Sequence, residues 1–178
     1  MSSITKQRIS HAFLELSKKK SIDKITVKDV VEAVDITRQT FYYHFKDIMD
    51  VIEWSLEQKM LEILEESLQA QSMEKSIRVL LSLVEENTDI INKLMNSQKR
   101  QFTERLLIET MRSYMNEMIE RKELFMDMRR SDIKLALNFY SYAITGTLLE
   151  ISQKRKAIDL DLLSRKIYLL ITGKIFNN

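Results

Sequence analysis

Apolar residues recur every three or four positions along most of the chain, which is the spacing of one face of an α-helix. In the first segment Ile9, Phe13 and Leu16 follow this spacing. Strict alternation of apolar and polar residues, which would indicate strands, does not organise any segment of comparable length. The expected fold class is all-α, with about nine helices at residues 4–19, 27–34, 37–44, 48–68, 73–86, 89–95, 99–122, 132–154 and 159–176.

Residues that cap helices stand at several of these predicted starts. Thr26 and Asp29 fit a capping box, in which the hydroxyl accepts from the amide three residues on and the carboxylate accepts from the cap amide. Thr37 and Asp47 precede the third and fourth helices in the same way. Two short helices joined by a tight turn are typical of a helix-turn-helix, and the second would carry polar and aromatic residues.

The last two predicted helices are apolar on two faces. Over 132–154 one stripe contains Ile133, Leu137, Tyr140, Ile144, Leu148 and Ile151, and a second contains Leu135, Phe139, Tyr142, Gly146 and Leu149. A helix with two apolar faces needs two partners. One face can pack within its own chain. The other face contacts a second copy of the chain, or it covers the helices of 48–122 in the same chain.

Composition narrows the function classes. The 178 residues include no proline, no cysteine, two glycines and two histidines. Scarce turn residues argue against sandwiches and barrels, and without cysteine there are no disulfides, thiolate metal sites or thiol nucleophiles. No glycine-rich phosphate loop and no Ser, His and acidic residues at the spacing of a catalytic triad are present. We therefore expect that the protein is not an enzyme and binds no cofactor or metal. Charges interrupt every apolar run, so we expect a soluble cytoplasmic protein with no membrane partner.

Charge is nearly balanced, with a net value of +2. Residues 1–50 hold nine Lys and Arg against seven Asp and Glu, so the whole excess lies in this segment. The excess is small, and by itself it is weak evidence for a polyanionic partner.

The stretch over 26–47, TVKDVVEAVDITRQTFYYHFKD, resembles the DNA-binding region of the TetR family of bacterial transcription regulators. The matching features are Thr26 at the helix start, Ala33 within the helix, the Ile36–Thr37 turn exit, and Thr40, Phe41, Tyr42, His44 and Phe45 in the recognition helix. This specific resemblance covers residues 4–52. Beyond it, helix number and length match, and the run over 139–146 is similar to the family's penultimate helix.

Three positions depart from the family pattern. Asp35 stands where the turn usually has glycine, although Asp tolerates unusual backbone angles better than most residues. Ser21 replaces a glycine before the second helix. Ile48 replaces a frequent lysine at the start of the fourth helix, which removes one expected phosphate contact.

The resemblance implies a DNA-binding domain over residues 1–47 and a regulatory and dimerisation domain over 48–178. The recognition helix would lie in the major groove of double-stranded DNA, where Arg38 pairs with guanine and Gln39 with adenine. The expected DNA-binding residues are Thr26, Lys28, Thr37, Arg38, Gln39, Thr40, Tyr42, Tyr43, His44 and Lys46. An alternative for Tyr42 and Tyr43 is a structural role as partly buried tyrosines.

The same resemblance implies a homodimer on a palindromic operator. The expected dimer interface contains Tyr140, Ala143, Gly146, Thr147, Leu163, Ile167 and Leu170. The function would be that of a transcriptional regulator, a repressor released by a small hydrophobic effector. The expected pocket residues are Trp54, Leu61, Leu64, Met111, Tyr114, Met115, Met118, Phe139 and Tyr142, although such residues at helical spacing are also typical of an ordinary core.

A second mode of control stays open. The short regulatory half, with Glu85, Glu86 and Asn87 before the 89–95 helix and Phe102 after it, is similar to a branch of the family that includes the dihydroxyacetone kinase operon activator. The resemblance to that branch implies an activator or co-regulator that responds through a protein partner.

Overall fold

The structure is a computed structural model that describes residues 2–153 and 159–176, with the backbone alone at Ser2 and Phe176. The regular elements of these ranges are helical, and the predicted all-α fold class is confirmed. The α-helices are α1 (Ser2–Lys19), α2 (Val27–Val34), α3 (Arg38–His44), α4 (Ile48–Gln69), α5 (Met73–Glu86), α6 (Thr88–Met95), α7 (Arg100–Arg121), α8 (Arg130–Gln153) and α9 (Leu160–Ile171).

Two predicted segments differ from the structure. The loop before α2 contains a 3₁₀ turn, Ile22–Lys24, whose Ile22 is buried. The last helix ends at Ile171 rather than at 176, because Gly173 has a φ of 68°. This left-handed conformation suits glycine and terminates α-helices. The predicted end of the penultimate helix at Lys154 lies outside the described residues.

The first hydrophobic core holds α1, α2 and α3 together. Its buried side chains include Phe13, Val30 and Phe41 from these helices, and Leu94 and Leu106 from α6 and α7 join them. Burial of each such side chain stabilises the fold by about 1.5–3 kcal/mol. The N-terminal helices are therefore packed directly on the following helices.

A second core lies among α4, α5, α7, α8 and α9. It buries Leu64, Leu81, Tyr114 and Ile167. The Tyr114 hydroxyl donates to Ser67 Oγ at 2.8 Å, so this buried phenol is hydrogen-bonded. Burial raises the pKa of Tyr114 above its ordinary value, and the Ser67 contact opposes that effect. Tyr114 therefore stabilises the junction of α4 and α7.

The two stripes of α8 lie in different environments. Leu137 and Leu148 of the first stripe are buried, whereas Leu135, Phe139 and Tyr142 of the second are 70%, 66% and 60% exposed. The second stripe thus leaves most of its apolar surface uncovered by its own chain, and the alternative that it covers the helices of 48–122 is wrong for these three residues. No helix among the described residues combines the length and apolar character needed to span a bilayer.

Candidate nucleic-acid interface

The amino end of α2 is held by a capping box, as the sequence predicts. The Thr26 amide and hydroxyl both donate to Asp29 Oδ2, at 2.7 and 2.6 Å, and the Asp29 amide donates to Thr26 Oγ1 at 3.3 Å. Lys20 Nζ lies 2.7 Å from Asp29 Oδ1. The Lys20 ammonium, followed by the Thr26 donors, holds the pKa of Asp29 well below its ordinary value. The first-turn amides of α2 that make no intrahelical bond are potential anion ligands.

The turn between α2 and α3 contains a residue in a left-handed backbone conformation. Asp35 lies in the left-handed region with a φ of 57°. The Ile36 amide donates to the Val31 carbonyl at 3.1 Å, and Arg8 of α1 donates to the Val34 carbonyl at 2.7 Å. The carboxyl end of α2 is therefore fixed to α1, which sets the angle at which α3 leaves the turn.

Helix α3 is buried on one side and exposed on the other. Phe41 and Phe45 are 0% and 2% exposed, with ring centroids 6.0 Å apart. Tyr42 and Tyr43, which lie between them in sequence, are 58% and 81% exposed. Phe45 is the C-cap residue of α3, and its amide donates to the Phe41 carbonyl at 2.9 Å, so the two phenylalanines lie on the same inner side. The alternative that Tyr42 and Tyr43 are partly buried structural residues does not fit these exposures.

The amino end of α3 carries the short polar side chains. Thr37 caps the helix by accepting from the Thr40 amide at 3.1 Å, and the two hydroxyl oxygens lie 2.9 Å apart. Arg38 and Gln39 in the first turn are exposed. Because the cap hydroxyls interact with each other, Arg38 and Gln39 are the first-turn side chains free to extend into a groove.

The carboxyl end of α3 supplies His44 and Lys46. His44 is half-buried, with its ring 5.0 Å from the Tyr43 ring in an edge-to-face arrangement. The Lys46 side chain is exposed, while its amide donates to Asp50 Oδ2 at 2.8 Å. Lys28, on α2, is exposed and makes only a loose 3.8 Å pair with Glu32. Cationic and polar groups therefore flank both ends of the exposed α3 surface.

Of the ten predicted DNA-binding residues, eight are exposed, and Thr40 and His44 are half-buried. The residue pattern does not single out Lys6, although the structure places it beside this region. Its Nζ lies 5.2 Å from the Phe45 ring centroid and 5.8 Å from that of Trp54. Such cation–π contacts are visible only once α1 and α4 are packed together.

A cavity of about 490 Å³ lies among α1, α4, α5, α6, α7 and α8. Trp54 and Met111 line it, but the other predicted pocket residues do not appear among its described walls. Leu64 and Tyr114 are buried in the second core, and Met115 and Met118 pack against it. The remaining three are exposed: Leu61 on α4, and Phe139 and Tyr142 on α8. Helical spacing identifies apolar faces but not which face borders a void.

The residues predicted to form the dimer interface differ in their exposure. Ala143, Gly146, Thr147 and Leu170 are exposed, Tyr140 and Leu163 are half-buried, and Ile167 is buried in the second core. A Cβ placed on Gly146 would meet no atom within 4 Å, so this side of α8 is open. Among the described residues no group of three or more His, Cys, Asp or Glu could hold a metal ion.

Comparison with known proteins identifies the family. A TetR model described as the transcriptional regulator C-terminal region matches residues 71–173, more than half of the chain. The HTH-type dhaKLM operon transcriptional activator DhaS of Lactococcus lactis subsp. lactis (strain IL1403) is 26% identical over 91 residues, which cover 51% of this chain and 49% of DhaS. The chain thus spans about half the length of the curated relative it matches.

Solved structures share the fold. The dihydroxyacetone kinase operon activator DhaS has a TM-score of 0.71 at 20% identity, over 97% of this chain and 96% of its own. Lin0861 from Listeria innocua has a TM-score of 0.70 at 20% identity, over 96% of this chain and 92% of its own. The TetR family repressor AlkX from Dietzia sp. strain DQ12-45-1b has a TM-score of 0.61 at 16% identity, over 94% of this chain and 93% of its own. Because the family model matches more than half of its residues, the chain belongs to the TetR family of transcriptional regulators.

Proposed function

We propose that the protein binds double-stranded DNA as a homodimer and regulates transcription from a near-palindromic operator. Residues 1–47 would form the DNA-binding domain and residues 48–178 the regulatory and dimerisation domain. The observation that carries this proposal is the asymmetry of α3, with Phe41 and Phe45 buried behind it and Tyr42 and Tyr43 exposed in front. An exposed helix on a rigid support is the shape that the major groove admits.

The side chains of this surface take two kinds of role. Arg38 and Gln39 read bases, because guanidinium and amide groups form paired hydrogen bonds with guanine and adenine edges. Contacts to phosphates set the position of the helix on the duplex. We assign these phosphate contacts to Thr26, Lys28, Thr37, Thr40, Tyr42, Tyr43, His44 and Lys46. Since the Thr26 hydroxyl already donates to Asp29, the anion contact at this end comes mainly from the α2 amides.

Dimerisation is supported by the uncovered stripe of α8. Leu135, Phe139 and Tyr142 are large and exposed, and Ala143 and Gly146 on the same side allow a second helix to approach closely. A second copy of the chain would bury this apolar surface. In a two-fold dimer the α3 helices would lie about 34–36 Å apart, which is one turn of DNA.

Control of DNA binding has two candidates. In the first, the protein is a repressor that a small molecule releases, which the 490 Å³ cavity beside α4 supports. In the second, it is an activator or co-regulator that a protein partner controls. The sequence similarity to the activator DhaS supports activation. The exposed side chains of Phe125, Met126 and Met128 in the α7–α8 connection offer an apolar surface to a protein partner.

The proposal is tested with purified protein and labelled duplexes selected from a random pool. Sedimentation should give a dimer, and fluorescence anisotropy should give an affinity that falls steeply as salt rises, because bound phosphates release counterions. The selected sites should be two similar half-sites in inverted orientation. A double Arg38→Ala, Gln39→Ala variant is the control, since it should keep dimerisation and lose sequence preference. A monomer that ignores every duplex at low salt would exclude the proposal.

A further inference from the structure

Most of the side chains that line the cavity among the helices are apolar. Leu14 of α1, Trp54 of α4, Ile91 of α6, Leu107 of α7 and Leu149 of α8 all line it. Because a water molecule occupies about 30 Å³ of liquid, 490 Å³ corresponds to roughly 16 waters. Waters beside the apolar side chains have fewer hydrogen-bond partners than in bulk water, so a mainly apolar molecule that displaces them binds favourably.

Charge in the lining is already compensated. Lys59 and Glu62 form an ion pair with each other, with Nζ and Oε2 3.1 Å apart. His11, the other titratable residue of the described lining, is exposed. An ionised ligand inside this cavity would lose its hydration without gaining a counter-charge, which is strongly unfavourable. The lining therefore selects an uncharged molecule.

One buried hydroxyl of the lining is unpaired. Ser10 and Ser55 bond to each other at 2.6 Å, and Thr103 and Thr110 donate to main-chain carbonyls four residues earlier. Thr145 lines the same cavity and is 4% exposed, yet its Oγ1 has no hydrogen-bond partner among the described residues. Buried polar groups are nearly always paired in proteins, so this donor is the position at which a ligand acceptor would be satisfied.

We propose that the cavity binds an uncharged, mostly hydrocarbon molecule with one hydrogen-bond acceptor, and that Thr145 Oγ1 donates to this acceptor. The apolar side chains of the lining provide the affinity, the lack of an uncompensated charge excludes ions, and Thr145 sets the position of the polar atom. Binding itself follows from the cavity alone, whereas its effect on transcription rests on the proposed function.

The cavity also reaches the DNA-binding helices. Phe13 of α1 and Leu94 of α6 line it, and both belong to the first core. Beside Leu94, Lys93 Nζ donates to the carbonyl oxygens of Ser17 and Lys18 at the end of α1. A molecule in the cavity thus contacts side chains of α1 and α6 that belong to the first core. If it prefers the arrangement that does not fit DNA, it shifts the population away from the bound state.

The binding site is tested by fluorescence with 2-undecanone as the probe, a neutral ketone with one acceptor. Trp54 is the single tryptophan of the sequence and lines the cavity, so its emission reports on occupancy. We expect a saturable change in emission and a higher melting temperature. Undecanoate, which has a similar chain but carries a charge, should produce neither effect, and tighter binding of undecanoate than of the ketone would overturn the charge argument.

Three variants locate the contact. Thr145→Val keeps the shape and removes the donor, and should weaken 2-undecanone binding about tenfold. Thr172→Val is the matched control, because this α9 hydroxyl is exposed and bonded to the Tyr168 carbonyl, so affinity should not change. Val84→Phe fills part of the cavity and should abolish binding. Circular dichroism verifies that each variant is folded, and Thr145→Leu replaces Val84→Phe if the latter unfolds.

The outcomes separate this inference from the proposed function. Wild-type affinity in Thr145→Val would overturn the assigned contact, and no probe binding to the folded wild type would overturn the site. Operator binding is measured without probe in the same preparations. Intact DNA binding with no ketone binding refutes the ligand inference alone, and ketone binding that follows the expected pattern without DNA binding refutes the proposed function alone.

Discussion

Alanine substitutions at Phe41 and Tyr42 distinguish the two sides of α3. Phe41 is fully buried in the first core, and removing a buried phenylalanine side chain costs about 3–5 kcal/mol. For a chain of this size each kcal/mol lowers the melting temperature by about 2–4 °C, so Phe41→Ala should lower it by roughly 6–20 °C. Tyr42 is 58% exposed and touches the Phe41 ring by its edge, with centroids 5.5 Å apart. Tyr42→Ala should cost at most about 1 kcal/mol.

At temperatures where both variants are folded, Tyr42→Ala should weaken DNA binding more than Phe41→Ala does. Loss of the proposed Tyr42 phosphate contact should weaken binding by about ten- to hundredfold per protomer, since hydrogen bonds to charged groups contribute about 1.5–3 kcal/mol. Thermal unfolding followed by circular dichroism gives the stability, and fluorescence anisotropy gives the affinity. If Tyr42→Ala destabilised the fold as much as Phe41→Ala and left DNA binding unchanged, the assignment of Tyr42 to the outer face would be refuted.

Other substitutions test the remaining features. Arg38→Ala should reduce discrimination between operator variants by about 1–3 kcal/mol, whereas Lys28→Ala should weaken all sequences alike and lower the salt slope by about one, measured by competition binding. Phe139→Glu should convert the dimer to monomers in sedimentation, and a dimer that persists would exclude the α8 interface. The pKa of Asp29 is lower in the folded chain than in the unfolded chain. Its ionised carboxylate therefore contributes fully to stability when the pH is above the unfolded-state pKa, and this contribution is lost as the pH falls through the folded-state pKa. Acid unfolding of Asp29→Asn should lack this component.

Local chemistry accounts for what could be predicted about the candidate interface. Thr26 and Asp29 are three residues apart, so their capping box depends on no distant contact, and it forms as expected. Phe41 and Phe45 are four residues apart, so the last turn of α3 brings the C-cap residue Phe45 beside Phe41. The exposure of Arg38 and Gln39 follows from the same geometry. These features could be predicted because the interacting atoms are joined by a few residues of chain.

The cavity could not be predicted in the same way. Trp54 and Met111 were expected at a pocket, and both line the cavity. Leu64 and Tyr114 were expected there for the same reason, but they are buried in the second core. An apolar position indicates that a side chain faces something, but a void arises where helices far apart in sequence fail to fill the space between them. The unpaired hydroxyl of Thr145 is likewise visible only in the folded chain.

The residue pattern was sufficient for the helices, their caps and the inner and outer sides of α3, because each depends on backbone geometry within one or two turns. Packing among distant helices was needed for the rest. It joined Leu94 and Leu106 to the first core, and it left Leu135, Phe139 and Tyr142 uncovered on α8. The physical reason is that one helix face has many possible partners, and the choice among them minimises exposed apolar area over the whole chain.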